Sequence, residues 1–83
     1  MDKYLLVISK DYWGTSTSES TALRFMSKFK NFAGINDANV TRLFNGGVTV
    51  SNVKDTIYKS VKATLSLSVE KPRLYIYMNG HGN

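Results

Sequence analysis

Cysteine is absent from the 83 residues. That excludes a disulfide scaffold, a thiolate metal site and a cysteine nucleophile within these residues. A single histidine, His81, excludes a multi-histidine metal centre. No apolar stretch approaches the ~20 residues of a membrane-spanning helix. The opening Met1-Asp2-Lys3-Tyr4 leads into a short apolar run, too short for the core of a secretory signal. With Met1 as a natural start, the cytoplasm is the default compartment and no membrane partner is expected. Acidic residues are scarce, 6 against 11 basic, for a net charge of +5. That balance invites a nucleic-acid partner. The basic residues are scattered, however, and the densest alternation is Lys28-Phe29-Lys30, so solvated lysines account for the charge and nucleic acid is not expected.

What is present is a globular composition, 42% hydrophobic and 20% charged, in a chain of one domain at most. Area scaling gives a folded surface of roughly 5,000 Å², with only about 63% of the open chain's surface buried. The core is therefore thin. Tyr4-Leu5-Leu6-Val7-Ile8 is a continuous apolar run, read as a strand buried on both faces. Ser9 to Thr17 is a polar loop, and Ser16 with Glu19 has the spacing of a capping box. Ala22, Phe25, Met26, Phe29, Phe32 and Ala33 recur at helical spacing, and Gly34 suits a left-handed helix end. Residues 35–38 read as a turn. Val40-Thr41-Arg42-Leu43-Phe44 is a half-apolar strand expected at an edge. The triplet Asn39-Val40-Thr41 matches a glycosylation sequon, but it enters a strand and no secretory signal precedes it. Ser51 is placed to cap a second helix carrying Val53, Ile57, Val61 and Leu65, with Tyr58 widening the stripe. Pro72 marks the restart, and Leu74-Tyr75-Ile76-Tyr77-Met78 is a third strand, apolar on both sides.

The order is β-α-β-α-β in a single domain over 1–83, with no repeat or linker. Both crossovers are long enough for a helix, so the strands are expected parallel. The half-polar second strand belongs outside, which gives a sheet of order 2-1-3. Right-handed crossovers then put the helices on opposite faces, making a three-layer α-β-α fold. The carboxyl ends of the first and third strands flank the switch point where open α/β sheets bind ligands.

The third strand runs into Asn79-Gly80-His81-Gly82-Asn83. An imidazole is a general base near neutral pH, and flanking glycines expose it together with a backbone amide able to stabilise an oxyanion. The same residues also read as an Asn-Gly turn that happens to carry a histidine. A phosphate-binding glycine loop fits poorly, because such loops need a following helix N-terminus.

Leu74 to Asn83 resembles the histidine strand of the caspase–legumain superfamily of cysteine peptidases, which includes metacaspases and GPI-anchor transamidases. Their pattern is an aromatic-rich strand ending in Gly-His-Gly. Leu5-Leu6-Val7-Ile8-Ser9-Lys10-Asp11-Tyr12-Trp13 is similar to the first strand and aromatic loop of legumains and transamidases. Ala33-Gly34-Ile35-Asn36-Asp37-Ala38-Asn39-Val40 is similar to the segment leading into their second strand, and Val48-Thr49-Val50-Ser51-Asn52-Val53 to the start of their second helix. The resemblance covers most of these residues but only the first part of a family domain. It implies that His81 is the catalytic histidine of peptide-bond hydrolysis or transamidation. It also implies that the Gly82 amide belongs to the oxyanion hole, and that a basic residue near the first loop contacts substrate. The usual arginine is missing there; Lys10 is the basic residue that the loop offers. The family's nucleophilic cysteine follows the next strand, so a peptide or protein substrate requires a second segment or chain carrying it. No cofactor or metal enters this reading. The alternative is a catalytically inactive α/β module acting through an exposed sheet edge. In either case the open edge of the third strand predicts self-association or a complex with a completing segment.

Overall fold

In the computed structural model, residues 2–11, 17–67 and 69–80 are described. Three strands, β1 (Lys3–Lys10), β2 (Val40–Phe44) and β3 (Arg73–Gly80), alternate with two helices, α1 (Thr17–Ala33) and α2 (Val50–Leu65). The sheet is wholly parallel with order β2-β1-β3, as the pattern of apolar runs predicts. β1 is central because it is the segment able to be dry on both sides. Leu5, Leu6, Val7 and Ser9 have no exposed surface and Ile8 retains 3%.

The two faces of β1 serve different helices. Leu5 and Val7 join Ala22 and Ile35 in the α1-side core, with Met26, Phe29, Val40, Phe44, Tyr75 and Tyr77 packed against it. The rings there are in register: Phe25 stacks on Tyr77 at 4.2 Å, and Phe29 meets Tyr75 edge-on at 5.0 Å. Leu6 and Ile8 point to the other layer, where α2 lies. The result is the α-β-α sandwich expected from right-handed crossovers.

Several local expectations are corrected. The cap of α2 is Thr49, not Ser51: the Thr49 hydroxyl accepts the Asn52 amide at 3.1 Å, and the helix already includes Val50 and Ser51. Ser16, the proposed capping residue of α1, lies outside the described residues. The Ser18 and Glu19 amides are instead taken by the Asp11 carboxylate, at 2.8 and 3.0 Å. That carboxylate reaches the helix start from the end of β1 and suits the positive end of its dipole. Ile35, assigned to a turn, is a core residue, and a short 3-10 turn at Asp37–Asn39 follows it. Gly34 does adopt the left-handed conformation, at φ +71°, and returns the chain so that the Ile35 amide bonds Lys30 O at 2.9 Å. β3 extends to Gly80, two residues past the expected apolar run.

The helix stripes are also narrower than the hydropathy pattern suggests. Phe32 is 88% exposed, and Tyr58, Val61 and Leu65 are exposed on α2. The buried positions of α2 are Ser60 and Thr64, whose small polar side chains allow the helix to approach the sheet. Thr64 spends its hydroxyl on Ser60 O at 2.7 Å, so no polar group is wasted.

Replacing Thr49 with alanine should cost about 1 kcal/mol in urea denaturation, the usual value of an N-cap. Ser51→Ala should stay within about 0.5 kcal/mol, as expected of an exposed residue without such a role. Equal losses at the two positions would contradict this capping geometry.

Candidate functional site

The carboxyl edge of the sheet is assembled by side chains that tie strand ends to neighbouring segments. β1 and β3 stay paired to their last residues, with Lys10 opposite Gly80 and Ser9 opposite Asn79. From β1, the Asp11 carboxylate holds the first turn of α1, and its backbone amide donates to Asn45 Oδ1 at 3.0 Å. Asn45 can present that oxygen because it opens the turn after β2 in a left-handed conformation, φ +52°, which asparagine tolerates. From β3, Asn79 Nδ2 donates to Ser18 O at 2.9 Å and to the Tyr77 hydroxyl at 3.2 Å. Ser18 is thus gripped twice, through its amide by Asp11 and through its carbonyl by Asn79. Asn79 Oδ1 and Ser9 Oγ, on adjacent strands, are buried here without hydrogen-bond partners among the described residues.

On the α2 side of this edge, an open cleft of about 420 Å³ is lined by Ile8, Lys10, Val48, Val53, Met78, Asn79 and Gly80. Lys10 is exposed at its rim, and its Nζ donates to Val48 O at 3.3 Å, a long bond that leaves two ammonium protons for other acceptors. Walls of Ile8, Val48, Val53 and Met78 with one lysine at the mouth suit an apolar group bearing a negative or carbonyl end. Gly80 is favoured by close approach: a Cβ there would stand 3.0 Å from Lys10 O, a tight contact that the paired strand would have to ease.

Of the residues singled out from the sequence, Lys10 stands at this cleft. His81 and Gly82, the proposed base and oxyanion donor, lie outside the described residues. The last described residue before them, Gly80, is the one opposite Lys10. Asp11, Asn45 and Asn79 escaped the sequence reading, because their partners are remote in sequence. The usable signal was an asparagine directly after the second and third apolar runs, at Asn45 and Asn79, and an aspartate three residues after the first, at Asp11. Among the described residues no group of three or more histidine or acidic side chains is placed to hold a metal ion, and no helix is long and apolar enough to cross a membrane. Two groups with perturbed protonation lie at the far, amino end of the sheet. A hydrogen bond from Lys3 holds the Asp2 carboxyl below its ordinary range, and one to Tyr75 raises Arg73.

No family model, no curated protein and no solved structure matches this chain. The likeness to caspases and legumains therefore stands on the quoted residues and their order alone.

Asn79→Ala should destabilise the fold by about 1–2 kcal/mol, through two lost hydrogen bonds and the freed Ser18 carbonyl. Gly80→Ala should cost about 1–3 kcal/mol, because the new methyl pushes on Lys10 O across a closed strand pair. Chemical denaturation of both variants checks this; a neutral Gly80→Ala would mean that the two strand ends are not held together.

Proposed function

We propose that this chain is the histidine-bearing portion of a cysteine peptidase of the caspase–legumain type, acting in peptide-bond hydrolysis or transamidation. The observation that carries the reading is the pairing of Lys10 with Gly80 at the switch point of a 2-1-3 parallel sheet. His81 is the next residue in the sequence, so a general base and the loop after β1 belong to one edge. In this reading His81 accepts the thiol proton and later gives one to the leaving amine, and the Gly82 amide faces the developing oxyanion. Lys10 and the apolar cleft beside it receive a substrate side chain. The thiol itself comes from a segment or chain carrying the family's next strand, since these residues contain no cysteine. Imidazole alone gives no comparable acyl transfer from an amide.

The bare edge of β3 favours a second reading, a caspase-like module without catalysis that pairs with a partner strand. Both readings are separated by one reconstitution. The 83 residues alone should cleave no peptide in a substrate panel. Co-expression with a segment carrying the next strand and its cysteine should restore cleavage, and His81→Ala in that complex should lower kcat by roughly 10²–10⁴-fold with little change in Tm. A variant that keeps its rate and loses melting temperature would make His81 a turn residue, and a complex that restores no cleavage would leave the non-catalytic module.

A further inference from the structure

Asparagine precedes glycine twice in the sequence, at Asn45-Gly46 and at Asn79-Gly80. Such a pair carries an electrophile and a nucleophile in one short stretch. The electrophile is the side-chain amide carbon; the nucleophile is the next backbone nitrogen, which no Cβ shields. Attack closes a five-membered succinimide ring. The fold treats the two pairs in opposite ways.

Asn79 is locked. Its Nδ2, the nitrogen that would have to leave as ammonia, donates to Ser18 O at 2.9 Å and to the Tyr77 hydroxyl at 3.2 Å. Its Oδ1 is buried, with no donor among the described residues to take up developing charge. Gly80 closes β3 opposite Lys10, and a Cβ there would stand 3.0 Å from Lys10 O. Bending the Gly80 nitrogen onto the Asn79 side chain would break that strand pairing.

Asn45 is open on each of these counts. It has left the sheet and begins the 3-10 turn Asn45–Gly47 in a left-handed conformation. Its Nδ2 has no hydrogen-bond partner among the described residues. Gly46 is exposed. In a 3-10 turn that starts after Phe44, Gly47 is the first residue whose amide can close an i→i+3 bond, and the Val48 amide follows, to Asn45 O at 2.9 Å. The Gly46 amide is left to solvent. Asn45 Oδ1 accepts the Asp11 backbone amide at 3.0 Å. That oxygen gains charge as the tetrahedral centre forms, and a donor already in place stabilises it.

We propose that Asn45 is a site of self-catalysed deamidation, and that its conversion releases the end of β1. The Gly46 nitrogen gives its proton to solvent base and forms a bond to Asn45 Cγ. The tetrahedral centre then collapses: the Cγ–Nδ2 bond breaks, and Nδ2 takes a proton and departs as ammonia. Water opens the ring at either carbonyl, breaking one of its two C–N bonds, and leaves aspartate or isoaspartate. One water is consumed, one ammonia is released and the net charge falls by one. In isoaspartate the main chain runs through the former side chain and is one carbon longer, so the Asp11 amide loses the side chain aimed at it. Either product places a carboxylate beside Asp11, whose own carboxylate holds the Ser18 and Glu19 amides. Like charges repel there. Conversion therefore loosens the anchor that runs from β1 into the first turn of α1. None of this depends on the peptidase reading.

The test incubates the purified 83-residue chain over days, folded and in urea, and follows it by tryptic peptide mapping. Arg42 and Lys54 bound the peptide that carries Asn45, and the one carrying Asn79 begins after Arg73. Tandem mass spectrometry reads each site separately as a gain of about 1 Da. In the folded chain Asn45 should convert about tenfold faster than Asn79 or more, and in urea the two rates should come together. Conversion of Asn45 should accelerate with pH, because the attacking nitrogen must first lose its proton. A methyl at Gly46 meets nothing within 4 Å, so Gly46→Ala should keep its Tm and slow conversion about tenfold. Converted chain, separated by ion exchange, should show faster hydrogen exchange at the Ser18 and Glu19 amides than unconverted chain. Asn45 that survives in the folded chain and converts in urea overturns the proposal. So do equal rates at Asn45 and Asn79 in the folded chain, a Gly46→Ala variant that converts at the original rate, or exchange at Ser18 and Glu19 that conversion leaves unchanged.

Discussion

Everything in this fold is hung on the dryness of β1. Five consecutive residues, Leu5 to Ser9, are removed from water on both faces, and the strand gives both its edges to neighbours. A strand in that position needs a layer above and a layer below, which accounts for two helices on opposite sides. At about 0.05–0.15 kcal/mol per residue, a chain this short has a net stability of only ~4–12 kcal/mol. Truncating a single leucine in a dry strand costs about 2–5 kcal/mol, a large share of that margin. The surrounding strands are graded by the same criterion: β3 is half-buried on the face under α1 and exposed on the other, and β2 is half-buried apart from Arg42, which is open to solvent.

The candidate edge follows from this arrangement and not from any one residue. Strands β2 and β3 depart from opposite sides of β1, so a crevice opens at their carboxyl ends. Asparagine and aspartate then close the crevice's flanks with hydrogen bonds, from Asp11 and Asn45 on one side and Asn79 on the other. What remains open is the apolar cleft with Lys10 at its mouth.

Sheet order, strand direction and the bounds of β2 were legible because they depend on runs of residues. A continuous apolar run needs two covered faces, and a half-polar one needs an edge. Helix phase was less legible. Residues at i, i+4 advance by about 40° per step, so Val53, Ile57, Val61 and Leu65 wind roughly a third of the way round α2. Val53 faces the sheet and Leu65 faces solvent, whereas Ser60 and Thr64 hold the buried line and carry no hydropathy signal. Caps that reach across the fold were illegible for another reason. Local capping rules compare residues three apart, and Asp11 meets Ser18 and Glu19 from seven and eight residues away. For the site, the cleft's place at the switch point followed from topology, while its wall of Val48 and Val53 depended on where the turn after β2 sends the chain.

The double grip on Ser18 has a kinetic meaning. The first turn of a helix ordinarily frays independently, because its amides have no partners within the helix. Here the Ser18 amide is held from β1 and its carbonyl from β3, the two strands with the longest pairing in the sheet. Opening that turn therefore requires releasing both strand ends, and loosening either strand end frees the turn. The start of α1 and the carboxyl ends of β1 and β3 belong to one cooperative unit, which opens as a whole and not residue by residue. Any loop or ligand seated on that edge is borne by three elements that move together.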